Sequence, residues 1–299
     1  MNFDMSSVLE TYYPELLATG FVFTEGPVWV HDGFLYFVDI HSNRQLRWSR
    51  NTGSQVVRED SGGGNGTTMD GQGRMIICEG ANRRVTRKEK HGSWVPIAET
   101  YLGNRFNRPN DVVCHSNGNI YFTDPGARVL PYEREIDFSG VFMVSSDGSL
   151  SLATSECEYP NGLAFSPDES VMYVAISRLD GECIKNKANG NVCNHQLIRA
   201  FDVEPDGSLS NNRVFAELFS DKEGVPDGMK VDVKGRVYCT GPGGCWVYEA
   251  DGSLIGIIQM PEVPANVAFG GSDWRDLYFT ARTSIYMFRA NDPGIKVPT

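Results

Sequence analysis

Six times along this chain a strand that begins on a polar residue is followed by a tight turn and a second apolar strand, and few architectures accept that recurrence. The first three units are Glu25-Gly26-Pro27-Val28-Trp29 with Leu35-Tyr36-Phe37-Val38-Asp39, Asn65-Gly66-Thr67-Thr68-Met69 with Met75-Ile76-Ile77-Cys78-Glu79, and Asn110-Asp111-Val112-Val113 with Ile120-Tyr121-Phe122-Thr123-Asp124. The others are Asn161-Gly162-Leu163-Ala164-Phe165 with Val171-Met172-Tyr173-Val174-Ala175, Asp227-Gly228-Met229-Lys230-Val231 with Val237-Tyr238-Cys239-Thr240, and Asn266-Val267-Ala268-Phe269 with Leu277-Tyr278-Phe279-Thr280. A strand-type unit with a period of roughly forty residues predicts radial stacking around a channel, a six-bladed β-propeller.

The rest of the chain reads the same way. Its apolar runs are short, rich in Val, Ile, Tyr and Phe, and bounded by turn pairs such as Ser146-Asp147-Gly148, Pro205-Asp206-Gly207 and Ala250-Asp251-Gly252. Helical periodicity is nearly absent; only Ser6 to Ala18 has room for a helical turn, and Pro14 limits it. We therefore expect an all-β fold of one domain over residues 1–299, with 1–15 as an N-terminal extension. With 299 residues and 32 glycines, a repeat-built ring escapes the usual pressure to split at this length. The last repeat has three clear strands, ending with Ser284 to Phe288, while Leu16 to Phe23 reads as a strand before the first repeat. The N-terminal segment is thus expected to supply the outer strand of the last blade and close the ring.

Equivalent positions of a propeller fall on one level of the channel, so Glu25, Asn65, Asn110, Asn161, Asp227 and Asn266 should converge near the axis. All six carry oxygen, and hard divalent cations take several such ligands from separate chain segments. The competing reading makes the Asn and Asp residues before Gly ordinary turn formers. It leaves Glu25 unexplained, because turn chemistry does not select Glu.

Several function classes are excluded. A net charge of -11 argues against nucleic acid, and the densest basic run, Arg83-Arg84-Val85-Thr86-Arg87-Lys88, alternates as a solvated strand would. No apolar segment reaches membrane length and no secretory leader is visible, so a cytoplasmic protein is expected. The seven cysteines form no Cys-x-x-Cys pair; Cys78, Cys114 and Cys239 read as small buried hydrophobes, and Cys183 and Cys193, which bracket a polar loop, are open to pairing or to remaining free. Nucleophile elbows, phosphate loops, dinucleotide fingerprints and His-Glu-x-x-His are missing. Any chemistry then falls to a metal and a carboxylate.

Thr24-Glu25-Gly26-Pro27-Val28-Trp29, Asn107-Arg108-Pro109-Asn110-Asp111, Tyr121-Phe122-Thr123-Asp124-Pro125, Pro160-Asn161-Gly162-Leu163-Ala164-Phe165 and Pro226-Asp227-Gly228-Met229-Lys230 resemble, in order, the motifs of the senescence-marker-protein, regucalcin and gluconolactonase family. The resemblance runs from about Gly20 to Phe288. It implies a six-bladed propeller hydrolysing lactones with one divalent cation in the channel: calcium, with zinc, manganese, magnesium or iron as alternatives. Carried over by motif, the metal ligands are Glu25, Asn110, Asn161 and Asp227, with Asp227 also the catalytic base. Arg108, Asn110, Asn65 and Asp124 form the substrate side. A lactone would bind with its carbonyl on the cation and be opened to a hydroxy acid.

Two long connections, Pro125 to Ser139 and Ser177 to His195, follow the second strands of adjacent blades and are expected to wall the pocket. The first carries Val129, Leu130, Tyr132 and Phe138 and is apolar enough to pack. On this side the chain departs from the family: many bacterial members read Pro-Tyr-Gly where this chain has Gly126-Ala127-Arg128. Two rival functions stay open, a phosphotriesterase-like hydrolase and a non-catalytic calcium-binding propeller.

Overall fold

Each repeat folds into a four-stranded antiparallel sheet in the computed structural model of the chain, which describes residues 3–126, 129–177 and 196–297. Blade 1 comprises Thr24–Val30, Phe34–Asp39, Arg44–Ser49 and Gly53–Arg58, and blade 2 comprises Gly64–Met69, Met75–Glu79, Arg84–Lys88 and Trp94–Ala98. Blade 3 is built from Val112–Cys114, Ile120–Asp124, Gly140–Val144 and Leu150–Thr154, and blade 4 from Pro160–Phe165, Val171–Ile176, Leu197–Val203 and Leu209–Glu217. Blade 5 holds Met229–Val231, Val237–Gly241, Gly244–Tyr248 and Leu254–Ile258. In every blade the first strand is innermost, and its neighbours around the axis are the first strands of adjoining blades.

Blade 6 is closed as expected. Its strands Asn266–Gly270, Asp276–Ala281 and Ser284–Arg289 come from the C-terminal part of the chain, and Glu15–Thr19 adds the outer strand, pairing Glu15 with Met287 and Thr19 with Ser284. The strand is shorter than Leu16 to Phe23. Gly20, at φ +97°, turns the chain inward, and the amides of Gly20 and Phe21 share the Thr283 carbonyl before blade 1 begins. A bidentate ion pair from Arg50 to Glu15, at 2.6 and 2.7 Å, ties this closing strand to blade 1. The helical turn allowed for in the N-terminal segment is one turn at Met5, whose carbonyl accepts from Val8 and Leu9; these side chains are buried against blades 5 and 6.

The core lies between blades, because both faces of each sheet meet a neighbour. Phe106, Phe122 and Phe142 fill the space between blades 2 and 3, Phe165 and Phe201 that between 3 and 4, and Phe269, Phe279 and Phe288 that between 5 and 6. Cys78, Cys114 and Cys239 sit in these layers as free, buried thiols, and burial raises their pKa values. Strand Arg84–Lys88 is not the solvated strand expected. Arg84 and Arg58 both pair at 2.8 Å with Glu79, which is fully buried. No helix among the described residues is long and apolar enough to cross a membrane.

The C-terminal segment leaves blade 6 and crosses the far end of the channel. Gly294 bridges to Asp232 and donates to Trp274 O, the Ile295 amide bonds to Val231 O, and Ile295 and Val297 pack on the inner layers. It walls a cavity of about 530 Å³ whose other walls include Leu163, Phe165 and Lys230.

Candidate active site

The six polar residues do converge, and they do so within strands or at their thresholds. Glu25, Asn65, Asn161 and Asn266 lie inside first strands, whereas Asn110 and Asp227 stand just before theirs. Hydrogen bonds join them blade to blade: Asn65 Nδ2 to Asn110 Oδ1 at 2.5 Å, Asn266 Nδ2 to Glu25 Oε2 at 3.0 Å, and Gly162 N to Asp227 O at 3.2 Å. The glycine after the polar residue is explained by crowding at the axis. A Cβ on Gly26 would lie 2.0 Å from Asn65 O, on Gly66 2.2 Å from Asp111 Oδ1, and on Gly228 1.9 Å from Asn266 Oδ1. These glycines let inner strands approach one another, so the turn-former reading does not describe them.

Each donor is oriented by a different device. Asn161, buried, donates from Nδ2 to Ser177 Oγ at 2.8 Å, and Ser177 in turn donates to Pro226 O at 2.7 Å. The tether commits the amide nitrogen and leaves Oδ1 as the end available for a ligand. Glu25 accepts the Gly26 amide at 2.6 Å and the Asn266 amide on one oxygen, Oε2. Asp227 is only half-buried, with its amide held by Thr240 O at 3.0 Å. Asn110 is 2% exposed, yet its Nδ2 has no partner. Turning the Asn65 and Asn110 amides together would keep the hydrogen bond between them and place an Asn110 oxygen, the end a cation would use, where the nitrogen has no partner. Two carboxylates among amide oxygens fit a hard cation such as calcium. Among the described residues no three His, Cys, Asp or Glu side chains cluster, as a nitrogen and sulfur site for zinc would require.

Beneath this level lies a second polar layer. Asp111, buried, receives the Val112 amide at 2.8 Å and reaches Asn266 Nδ2 at 3.4 Å, so Asn266 links blade 3 to Glu25 across the axis. Lys230 enters from blade 5 and donates to Met229 O at 2.9 Å. Burial raises the Asp111 pKa and lowers that of Lys230, while the attraction between the two opposes both shifts. This layer supplies internal counter-charge under the site.

At the end of its blade 3 strand, Asp124 is fully buried and spends both oxygens on backbone amides, those of Asn107 at 2.7 Å and Arg108 at 2.6 Å. Its role is therefore to set the Asn107–Arg108 segment. Burial raises its pKa to about 6, against the pull of those two amides. Of the two long connections, that from Pro125 to Ser139 stands beside this segment, its base closed by Gly126 N to Ser139 Oγ at 3.0 Å and Asn107 Nδ2 to Phe138 O at 2.9 Å. Phe138 packs on Phe142, but Leu130 is 52% and Tyr132 80% exposed, so the loop packs at its base and not at its tip. The connection from Ser177 to His195, with Cys183 and Cys193, lies outside the described residues beyond Ser177.

Residues 23–283 match the family model described as the SMP-30/gluconolactonase/LRE-like region. The chain belongs to that family. Among SMP-30/gluconolactonase relatives, a gluconolactonase of Zymomonas mobilis is 28% identical over 97% of this chain and 85% of its own. The regucalcin of Danio rerio is 26% identical over 86% of this chain and 82% of its own. The solved structure of a gluconolactonase from Xanthomonas campestris superimposes with a TM-score of 0.84 at 29% identity, covering 97% of this chain and 93% of that one.

Within the SMP-30/gluconolactonase frame, three groups escaped the sequence reading. Ser177 follows the strand Val171–Ile176 and carries no motif. Asp111 and Lys230 read as ordinary members of inner strands. The one available signal was Lys230 itself, a charged residue in a strand otherwise apolar on both sides.

Proposed function

We propose that the protein is a cation-dependent lactonase that opens a sugar-type lactone to its hydroxy acid. What supports this reading is that Glu25, Asn110, Asn161 and Asp227, from four blades, stand in or just before inner strands that hydrogen bonds join blade to blade, with Asp227 the most accessible of them. These four would hold the cation, and calcium suits their all-oxygen donors. The gluconolactonase and regucalcin relatives support the substrate class and the cation respectively. When bound, the cation supplies Lewis-acid polarisation of the lactone carbonyl and lowers the pKa of nearby water.

The chain's own residues do the rest. Arg108, on the segment fixed by Asp124, and the Asn65–Asn110 pair orient the substrate's hydroxyl groups over Asp227. Asp227 takes a proton from the attacking water as its oxygen bonds to the carbonyl carbon. Collapse of the tetrahedral intermediate breaks the ring ester bond, and the departing ring oxygen recovers that proton from Asp227, giving a carboxylic acid with a free hydroxyl. Ser177 keeps Asn161 in register throughout.

The test is a pH-stat assay on glucono-δ-lactone with the protein stripped by chelator and then reloaded with calcium, magnesium, manganese, zinc or iron. Activity lost with chelator and restored by one of these ions is expected. Turnover indifferent to chelator, or hydrolysis of a phosphotriester in preference to every lactone, overturns the reading.

A further inference from the structure

Four arginines, Arg83, Arg105, Arg108 and Arg134, line one cavity of about 580 Å³ with Asn107 and Tyr132, on the side of the channel where the loop from Pro125 to Ser139 rises. A chain with a net charge of -11 has gathered them from three separate segments. Two acidic residues share the cavity. Glu135 is engaged by Arg105, through Nε at 2.6 Å and the backbone amide at 2.7 Å, and lies 3.8 Å from Arg83. Glu133 is exposed at the rim. Four guanidinium groups and two carboxylates therefore line the cavity.

The arginines are held, not dangling. Arg83 spans three carbonyls, with Nε on Phe106 O at 2.5 Å, NH1 on Glu133 O at 3.3 Å and NH2 on Arg105 O at 3.4 Å. Neutral carbonyls fix a guanidinium without cancelling its charge. Arg134 donates Nε to Val129 O at 3.1 Å, and no carboxylate among the described residues lies within ion-pair distance of it. The side chain of Arg108 lies against Gly80, where a Cβ would come within 3.1 Å of its Cγ. Asn107 adds an acceptor, Oδ1, that is buried without a partner and suits a hydroxyl donor. All the cations are arginine and none is lysine, the choice that matches the planar, two-oxygen edge of a carboxylate, phosphate or sulfonate.

This cavity touches the site already described. Arg108 is two residues from Asn110 at the axis, a span of at most about 7 Å of extended chain, comparable to the length of a sugar acid's carbon backbone. We propose that the cavity is a subsite for an anionic group at the far end of the substrate, so that the preferred lactone carries a second acidic function. The inference rests on the lactonase reading above and adds the charge of the substrate to it. Arg108 contacts the substrate in both; Arg134, with Arg83 behind it, discriminates the anionic from the neutral compound.

The experiment compares binding and turnover. Calorimetry measures gluconate, 6-phosphogluconate and glucarate as product-side ligands, which need no catalysis, and kcat/KM is measured for glucono-δ-lactone and 6-phosphogluconolactone. Wild type is expected to bind 6-phosphogluconate or glucarate about tenfold or more tightly than gluconate, as one charge-assisted guanidinium contact supplies. Which of the two wins separates phosphate from carboxylate as the natural group. Arg134→Gln should remove most of that preference while leaving kcat/KM for the neutral lactone within about twofold. Arg134→Lys should recover less than half of it if the bidentate geometry matters. Equal affinity for gluconate, 6-phosphogluconate and glucarate, or an Arg134→Gln variant that loses neutral and anionic ligands alike, overturns the inference while leaving the lactonase reading intact. Tight binding of 6-phosphogluconate or glucarate with no lactone hydrolysed overturns the lactonase reading and, with it, the claim about the lactone's charge, leaving only an anion-binding cavity.

Discussion

Gly162 meets Asp227 backbone to backbone: its amide donates to the Asp227 carbonyl at 3.2 Å, and a Cβ on Gly162 would lie 2.2 Å from that same oxygen. The residue after one proposed ligand thus sets the position of another in the next blade. Gly162→Ala should push blades 4 and 5 apart at the axis, costing about 2–3 kcal/mol of stability by overpacking and reducing turnover with it. Chemical denaturation beside the kinetics checks this; an alanine variant of wild-type stability would mean that the blades part freely there.

Ser177 offers a cleaner test of the donor set, because it acts on Asn161 without being a proposed ligand. Ser177→Ala removes the acceptor for Asn161 Nδ2 and the donor to Pro226 O, leaving the amide free to turn. Loss of such an orienting partner costs about 10–100-fold in metal affinity. Titration of calcium into the stripped variant measures it directly. Unchanged affinity would remove Asn161 from the ligand set.

Asp227→Asn separates holding from catalysis. The amide keeps one oxygen for a cation but cannot take a proton, so turnover should fall by about two to four powers of ten, with a much smaller change in calcium affinity. Steady-state kinetics at saturating calcium give the answer. Near wild-type turnover would assign the proton to another group.

Asp124 makes stability depend on pH. Its folded-state pKa, raised to about 6 by burial, lies above the ordinary 3.8, so between those values the folded protein holds a proton that the unfolded chain has lost. The stability this gives is fully present below about pH 4 and is lost as pH rises through about 6. Its size is about 2–3 kcal/mol by the conversion of roughly 1.4 kcal/mol per unit. Urea denaturation of wild type and Asp124→Asn from pH 4 to 7 should show wild type alone declining by that amount across the window. Parallel profiles would mean that the carboxyl is not perturbed.

The ring and the polar level of its channel were legible because every blade repeats them: Glu25, Asn110, Asn161 and Asp227 stand at one place in a recurring pattern. The Asn-Gly pairs were harder, since a turn and an inter-strand contact both demand Gly, and only the neighbouring blade decides between them. Ser177 was hidden because its partners, Asn161 and Pro226, belong to other strands and to another blade. The basic run at Arg83 looked like a solvated strand because sequence spacing does not reveal that Glu79 is buried beside Arg84, or that Arg83 turns across the next blade to Phe106 O.

The C-terminal segment across the far end of the channel bears on traffic. Ile295 and Val297 wall that end, and the polar layer of Asp111, Asn266 and Lys230 lies between it and the candidate site, so among the described residues the side of Arg108 is the approach we propose for a small molecule. On that reading lactone and hydroxy acid share one doorway, so the acid departs before the next lactone arrives, and the product should act as a competitive inhibitor. A turnstile of this kind makes the rate of release, as much as the rate of ring opening, a quantity on which selection can act.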